Sequence, residues 1–113
     1  MHEMALAESM LEIVEETARR NGASRVTAVR LELGALAHVE AEALRFCFDA
    51  VTRGGVAGAA RLEIVATEGL AWCIRCAATV PLARRGEPCP RCGGFQLNVT
   101  QGTDMRLKEI EIA

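Results

Sequence analysis

Residues 72–94 read WCIRCAATVPLARRGEPCPRCGG. The stretch holds two cysteine pairs, Cys73/Cys76 and Cys89/Cys92, with twelve residues between them. Cysteines three positions apart can share one tight turn that aims both sulfurs the same way. Two such turns can close a tetrahedron on one ion with metal–sulfur bonds of about 2.3 Å. Pro90 and the Gly93-Gly94 pair supply turn residues for the second of them. Four thiolates fill the coordination sphere of zinc and leave no open position, so the expected role of Zn(II) here is structural. The surrounding segment, from Gly69 to Gly102, contains all three prolines and little periodicity. It buries too little apolar surface to order itself without the ion.

Outward from this module the pattern becomes regular. In LAESMLEIVEETARRNG the apolar residues Leu6, Met10, Ile13, Val14 and Ala18 recur at helical spacing, and Gly22 is a stop signal. RVTAVRLELG alternates, with Val29, Leu31 and Leu33 on one face and Arg30 and Glu32 on the other, which predicts a half-buried strand ending at Gly34. A second helix is predicted from about Glu40, carrying Leu44, Phe46, Cys47, Phe48 and Val51 up to the Gly54-Gly55 break, with Cys47 as a small core residue. ARLEIVATEG reads as another strand. So does MRLKEIEI, whose apolar parity slips between Leu107 and Ile110 and predicts a bulge at Lys108-Glu109. The expected fold is α+β: two helices packed on a small mixed sheet, with an inserted zinc-ribbon-like four-cysteine module. Residues 1–68 plus 103–113 form the α+β body and residues 69–102 the zinc-binding domain.

Composition narrows the function classes. The chain has 113 residues, half of them apolar and a quarter charged, with a formal charge of −2. That balance creates no overall field for a nucleic acid or an anionic membrane. No apolar run approaches the roughly 18 residues of a membrane span. The acidic, amphipathic beginning is not a signal peptide, so the cytoplasm is the expected compartment, where thiols stay reduced and available to metals. No pairing of nucleophile and base stands out, and a closed four-thiolate zinc cannot activate water, so the chain is not read as an enzyme.

The first three residues, Met1-His2-Glu3, hold one of only two histidines. By itself a histidine at a chain end is a solvated side chain. Chelation geometry makes it a candidate. A large second residue blocks removal of the start methionine, so the free amine belongs to Met1. That amine, the His2 amide nitrogen and its imidazole Nδ1 close a five- and a six-membered ring around one metal, and the Glu3 amide or carboxylate is a candidate fourth donor. A planar nitrogen set suits Ni(II) or Cu(II) rather than zinc.

These pieces together, MHE at the start, RVTAVRLELGAL, FCFDAVTRG, CIRC…CPRC and QGTDMRLKEIEI, resemble the HypA/HybF family of hydrogenase-maturation nickel metallochaperones over essentially the whole chain. The resemblance implies transported nickel on His2 with Met1 and Glu3 around it, and structural zinc on Cys73, Cys76, Cys89 and Cys92. It implies a hydrogenase-maturation GTPase and the [NiFe] hydrogenase large subunit as partners, with no nucleic acid and no membrane. Whether a homodimer forms stays open. Glu40 matches a carboxylate that some relatives carry and is a further nickel candidate, whereas His38 reads as solvated. Where some family members place histidines beside the cysteines, this chain has Ala77 and Gly93. A rival from another class is a zinc-ribbon nucleic-acid-binding or adaptor module, resting on Arg75, Arg84, Arg85 and Arg91 against Glu87. That stretch lacks the interleaved aromatics that stack on bases. A thiol oxidoreductase is a third reading and would require a metal-free protein with a labile disulfide.

Overall fold

The computed structural model describes residues 2–113. Along the chain lie α1 (Glu3–Arg20), β1 (Val26–Gly34), α2 (Ala41–Thr52), β2 (Arg61–Thr67), β3 (Leu70–Cys73), β4 (Ala78–Pro81), β5 (Leu97–Gln101) and β6 (Met105–Ile112). They form two three-stranded sheets, ordered β2-β1-β6 and β4-β3-β5. This is the expected α+β architecture of two helices with small sheets. The chain clusters into two compact units. One holds the chain up to Leu31, Val39–Val65 and Arg106–Ala113; the other holds Glu32–His38 and Ala66–Met105.

The first helix buries Ala7, Met10, Val14 and Ala18, and with them the acid Glu3. That stripe differs from the predicted one: Ala7 replaces Leu6, and Ile13 is 52% exposed. At about 100° per residue, 3, 7, 10, 14 and 18 fall within an arc of about 80°, whereas 13 lies about 60° beyond it. After Asn21 the chain turns at Gly22 with φ 62°, where Gly22 N–H donates to the Arg19 carbonyl and Ala23 N–H to that of Ala18. A residue in this left-handed conformation lets the last carbonyls of the helix find donors.

The helix α2 packs against α1 and turns Leu44, Phe48 and Thr52 inward. Phe46 was expected among the buried residues and is instead 74% exposed, with Cys47 only half-buried. At about 100° per residue, Phe46 stands on the far side of the helix from both Leu44 and Phe48.

Backbone bonds at the ends of the strands give the first sheet its sense. Val26 N–H donates to Val56 O and Ala35 N–H to Thr67 O, so β1 and β2 run parallel with α2 as the crossover. Gly34 N–H donates to Asp104 O and Ala113 N–H to Arg25 O, so β6 runs antiparallel to β1. Equal lengths of chain separate those two bonds on each strand, so no net residue is inserted, contrary to the predicted bulge. The parity slip is real, since Lys108 and Glu109 are both exposed, and β1 answers it with two consecutive buried residues, Ala28 and Val29.

Arg30 ties the three strands together. Its guanidinium donates to Glu63 on β2 at 2.8 Å and to Glu109 and Glu111 on β6 at 2.9 and 2.5 Å. Arg61, and then Arg30, holds the Glu63 carboxyl below the usual carboxylate range. A folded-state pKa below the unfolded one gives stability that is complete above the ordinary carboxylate range and is lost as the pH falls. The stability advantage of the native protein over an Arg30→Gln variant is therefore expected to shrink on acidification from about pH 5 to about pH 3. Melting temperatures of the two proteins across that range measure it.

Within the second unit, three backbone segments meet at glycines. A Cβ on Gly34 would stand 2.0 Å from the Gly102 carbonyl oxygen, and one on Gly69 would stand 2.3 Å from that of Leu82. Gly102 has φ 100°, and a Cβ there would lie 2.7 Å from Gly69 Cα. The obstructing atoms are backbone and cannot rotate away. Gly34→Ala is expected to destabilise by about 3 kcal/mol or more, read by denaturant titration.

Candidate metal centre

The four paired cysteines converge. Their sulfurs all lie within 4.8 Å of one another, with Cys73 Sγ to Cys92 Sγ at 3.7 Å and Cys76 Sγ to Cys89 Sγ at 3.9 Å. A tetrahedral ion with bonds of about 2.3 Å requires sulfurs about 3.8 Å apart. The donor set therefore fits zinc in kind, number and spacing. Among the described residues this is the one such group of cysteine, histidine and acidic side chains close enough to hold a metal.

The sequence places the sulfurs through two turns that differ in residues and agree in form. In the first, Cys76 N–H donates to Cys73 Sγ at 3.4 Å; in the second, Arg91 N–H donates to Cys89 Sγ and Gly94 N–H to Cys92 Sγ, each at 3.4 Å. Amide donors of this kind favour thiolate over thiol. After each pair the backbone turns left-handed, at Gly93 with φ 75° and at Ala77 with φ 51°. Glycine adopts that conformation freely, whereas alanine is strained there. The first turn thus holds a conformation its sequence disfavours, as expected where several sulfurs must meet at one point.

Electrostatics points the same way. Burial pushes the Cys76 thiol up, while backbone N–H groups of Cys92 and Arg91 hold Cys89 down. Four anionic sulfurs at these distances repel one another, and a divalent cation in their midst removes the conflict. Cys73, Cys89 and Val80 form a small buried cluster with Cys76, Cys92 and Leu97 packed on it. The cysteines are the core of this part of the fold as well as its ligands. Cys73 ends β3 opposite Ala78 of β4 and Leu97 of β5, Cys76 lies in the β3–β4 turn, and Cys89 and Cys92 lie in the loop between β4 and β5.

The N-terminal candidates are partly on view. Met1 lies outside the described residues. His2 is exposed and stands at the N-cap of α1 without a side-chain capping bond. Glu3 is 5% exposed, and its Oε2 accepts the Glu40 backbone N–H at 3.0 Å. That hydrogen bond is the main reason its carboxyl is lowered from the ordinary 4.5 to about 2. Sequence reasoning singled out both Glu3 and Glu40 but missed their relation: the carboxylate of one secures the helix start of the other. The Glu40 side chain is exposed, as is His38. Cys47, on α2, belongs to no metal-binding group among the described residues. No helix of the described chain is long and apolar enough to cross a membrane.

Comparison with known proteins adds the family. Residues 1–112 match the family described as "Hydrogenase/urease nickel incorporation, metallochaperone, hypA". The chain is 60% identical over 112 residues to the hydrogenase maturation factor HypA of Rhodopseudomonas palustris strain BisB5, covering 99% of both chains. It is 56% identical to that of Albidiferax ferrireducens, again over 99% of each. Among solved structures, that of the Ni metallochaperone HypA from Helicobacter pylori shares the fold with a TM-score of 0.67 at 24% identity, covering 99% of this chain and 97% of that one. A family match that runs through both the helical part and the four-thiol module, together with relatives that align along their whole length, leaves one placement: the chain belongs to the HypA family of hydrogenase/urease nickel-incorporation metallochaperones, maturation factors rather than catalysts.

Proposed function

We propose that the protein binds Ni(II) at its N-terminus and delivers it for maturation of a [NiFe] hydrogenase, while Cys73, Cys76, Cys89 and Cys92 hold a zinc ion that keeps their module folded. The observation that carries this reading is the family match together with the state of His2. Its imidazole is exposed and makes no capping bond to the helix it begins, so it is at the surface for a ligand. The Met1 amine, the His2 amide and the His2 imidazole supply three nitrogen donors. The Glu3 carboxylate is turned inward onto Glu40 N–H, which favours its amide over its carboxylate as the fourth.

Nickel is cargo and zinc is part of the fold, with nickel in the helical unit and zinc in the other. Copper(II) outranks nickel in intrinsic affinity, so selectivity rests on metal supply and on docking to partners. A maturation GTPase and the hydrogenase large subunit are the proposed partners, in the cytoplasm. Metal analysis of the untagged protein after nickel loading tests this. One nickel and one zinc per chain are expected, with a planar-nickel absorption band that fades on acidification as the amine, amide and imidazole regain protons. A protein that takes up nickel only by displacing zinc would refute the division of labour.

A further inference from the structure

Several arginines of this acidic chain are matched with acids. Arg19, Arg20, Arg30, Arg45, Arg53 and Arg61 all pair with a glutamate or aspartate. Among the described residues Arg84 and Arg85 form no such ion pair, and they line one cleft of about 110 Å³ together with His38, Ala35, Leu36 and Ala37. The described lining contains no carboxylate; Arg85 also borders the neighbouring cavity, which Glu87 lines.

Both walls of the cleft are anchored. Leu36 is buried against Ala71 and Leu82, its N–H donates to Gly102 O, and its carbonyl accepts Arg85 Nε at 3.0 Å. Leu82, at the root of the other wall, donates its N–H to Gly69 O. Holding Arg85 by Nε restricts the guanidinium and leaves its terminal N–H donors for other acceptors. Arg84, Arg85 and His38 thus line one space, with Arg85 tied across it to the Leu36 carbonyl.

We infer that this cleft is a binding site for a tetrahedral oxyanion of the phosphate class. Three donor-bearing side chains around one space suit an anion with oxygens on several sides, whereas a planar carboxylate presents only two oxygens. About 10–15 Å³ of such space holds one water, so the cleft is roomy enough for an ion of several heavy atoms. The inference is independent of the nickel and zinc assignments, since none of their proposed ligands lines the cleft.

The full-length protein with its metal, titrated with inorganic phosphate at constant ionic strength and followed by amide and arginine side-chain NMR, tests it. Saturable shifts confined to residues 35–38 and 82–86 are expected, with affinity in the millimolar range and acetate binding more weakly. Arg84→Gln, on an exposed side chain, is expected to weaken phosphate about tenfold, and Arg85→Lys, which keeps the charge but loses the fork, by a similar factor. Shifts no larger than those from chloride, or an unchanged affinity in both variants, would overturn the assignment. So would tighter binding of acetate. A single-stranded oligonucleotide that binds with a steep salt dependence and shifts Arg75 and Arg91 as strongly would replace the cleft with a diffuse polyanion surface.

Discussion

Cys89→Ser is expected to release about one zinc per chain and to melt the module that carries the four cysteines. The size of this effect follows from what the module has to stand on. Its buried residues fall into two small groups, Leu36, Ala71 and Leu82 in one and Cys73, Val80 and Cys89 in the other. Two of the three members of the second group are themselves ligands. Structural zinc contributes on the order of 10 kcal/mol to such modules, against a net stability of about 5–15 kcal/mol for a whole domain. Serine keeps the approximate volume and loses the thiolate, so any change reports the metal bond rather than packing. Collapse of amide dispersion for residues 70–101 with the helical signal of α1 and α2 retained is the expected result, alongside loss of zinc by elemental analysis. A variant that keeps both its zinc and its native dispersion would show the sulfurs to be packing residues.

His2→Ala should abolish tight nickel binding and leave zinc content and melting temperature nearly unchanged. The imidazole is exposed and makes no capping bond, so the fold loses almost nothing with it. Loss of one of four nitrogen donors and of a chelate ring should weaken nickel by about a hundredfold or more. A ten-residue extension ahead of Met1 asks the same question of the amine, which it converts into a distant peptide nitrogen; the same extension after Ala113 is the control. One added residue would not serve, because it creates a new amine, two-amide and imidazole set. Undiminished nickel affinity in the extended protein would keep the carrier role and replace the amine with a donor from elsewhere in the fold.

How much of this was readable in the sequence depended on the range of the interactions involved. The second helix was predicted from about Glu40 and is capped there, because an apolar stripe and a glycine break are local signals. The four cysteines announced themselves because ligand spacing is local within each turn. The sheet β4-β3-β5 was not foreseen: strands of four and five residues carry too few alternations, and their order comes from cross-strand partners. The inward turn of Glu3 was equally hidden, since its partner is a backbone N–H thirty-seven positions away. Phe46 misled because hydrophobicity alone cannot say on which side of a helix a residue stands. Nothing local to the tandem Arg84-Arg85 distinguishes a cleft wall from an ordinary solvated pair, because the acceptor of Arg85 is the Leu36 carbonyl forty-nine positions away.

The glycine crossing at Gly34, Gly69 and Gly102 bears on how such a protein can change over generations. Gly69 and Gly102 touch backbone to backbone, so the chain leaves for the cysteine-bearing segment and returns from it at a single point. Whatever hangs between them is spliced in as a side loop is spliced onto a finished stem. Insertions, deletions or a wholesale exchange of that loop would leave β2 and β6 in place, since neither end has to be respaced. The freedom is bounded by the crossing itself, where no residue with a side chain can be substituted without prising the strands apart. Variation among relatives should accordingly be generous inside the loop and nearly absent at its neck.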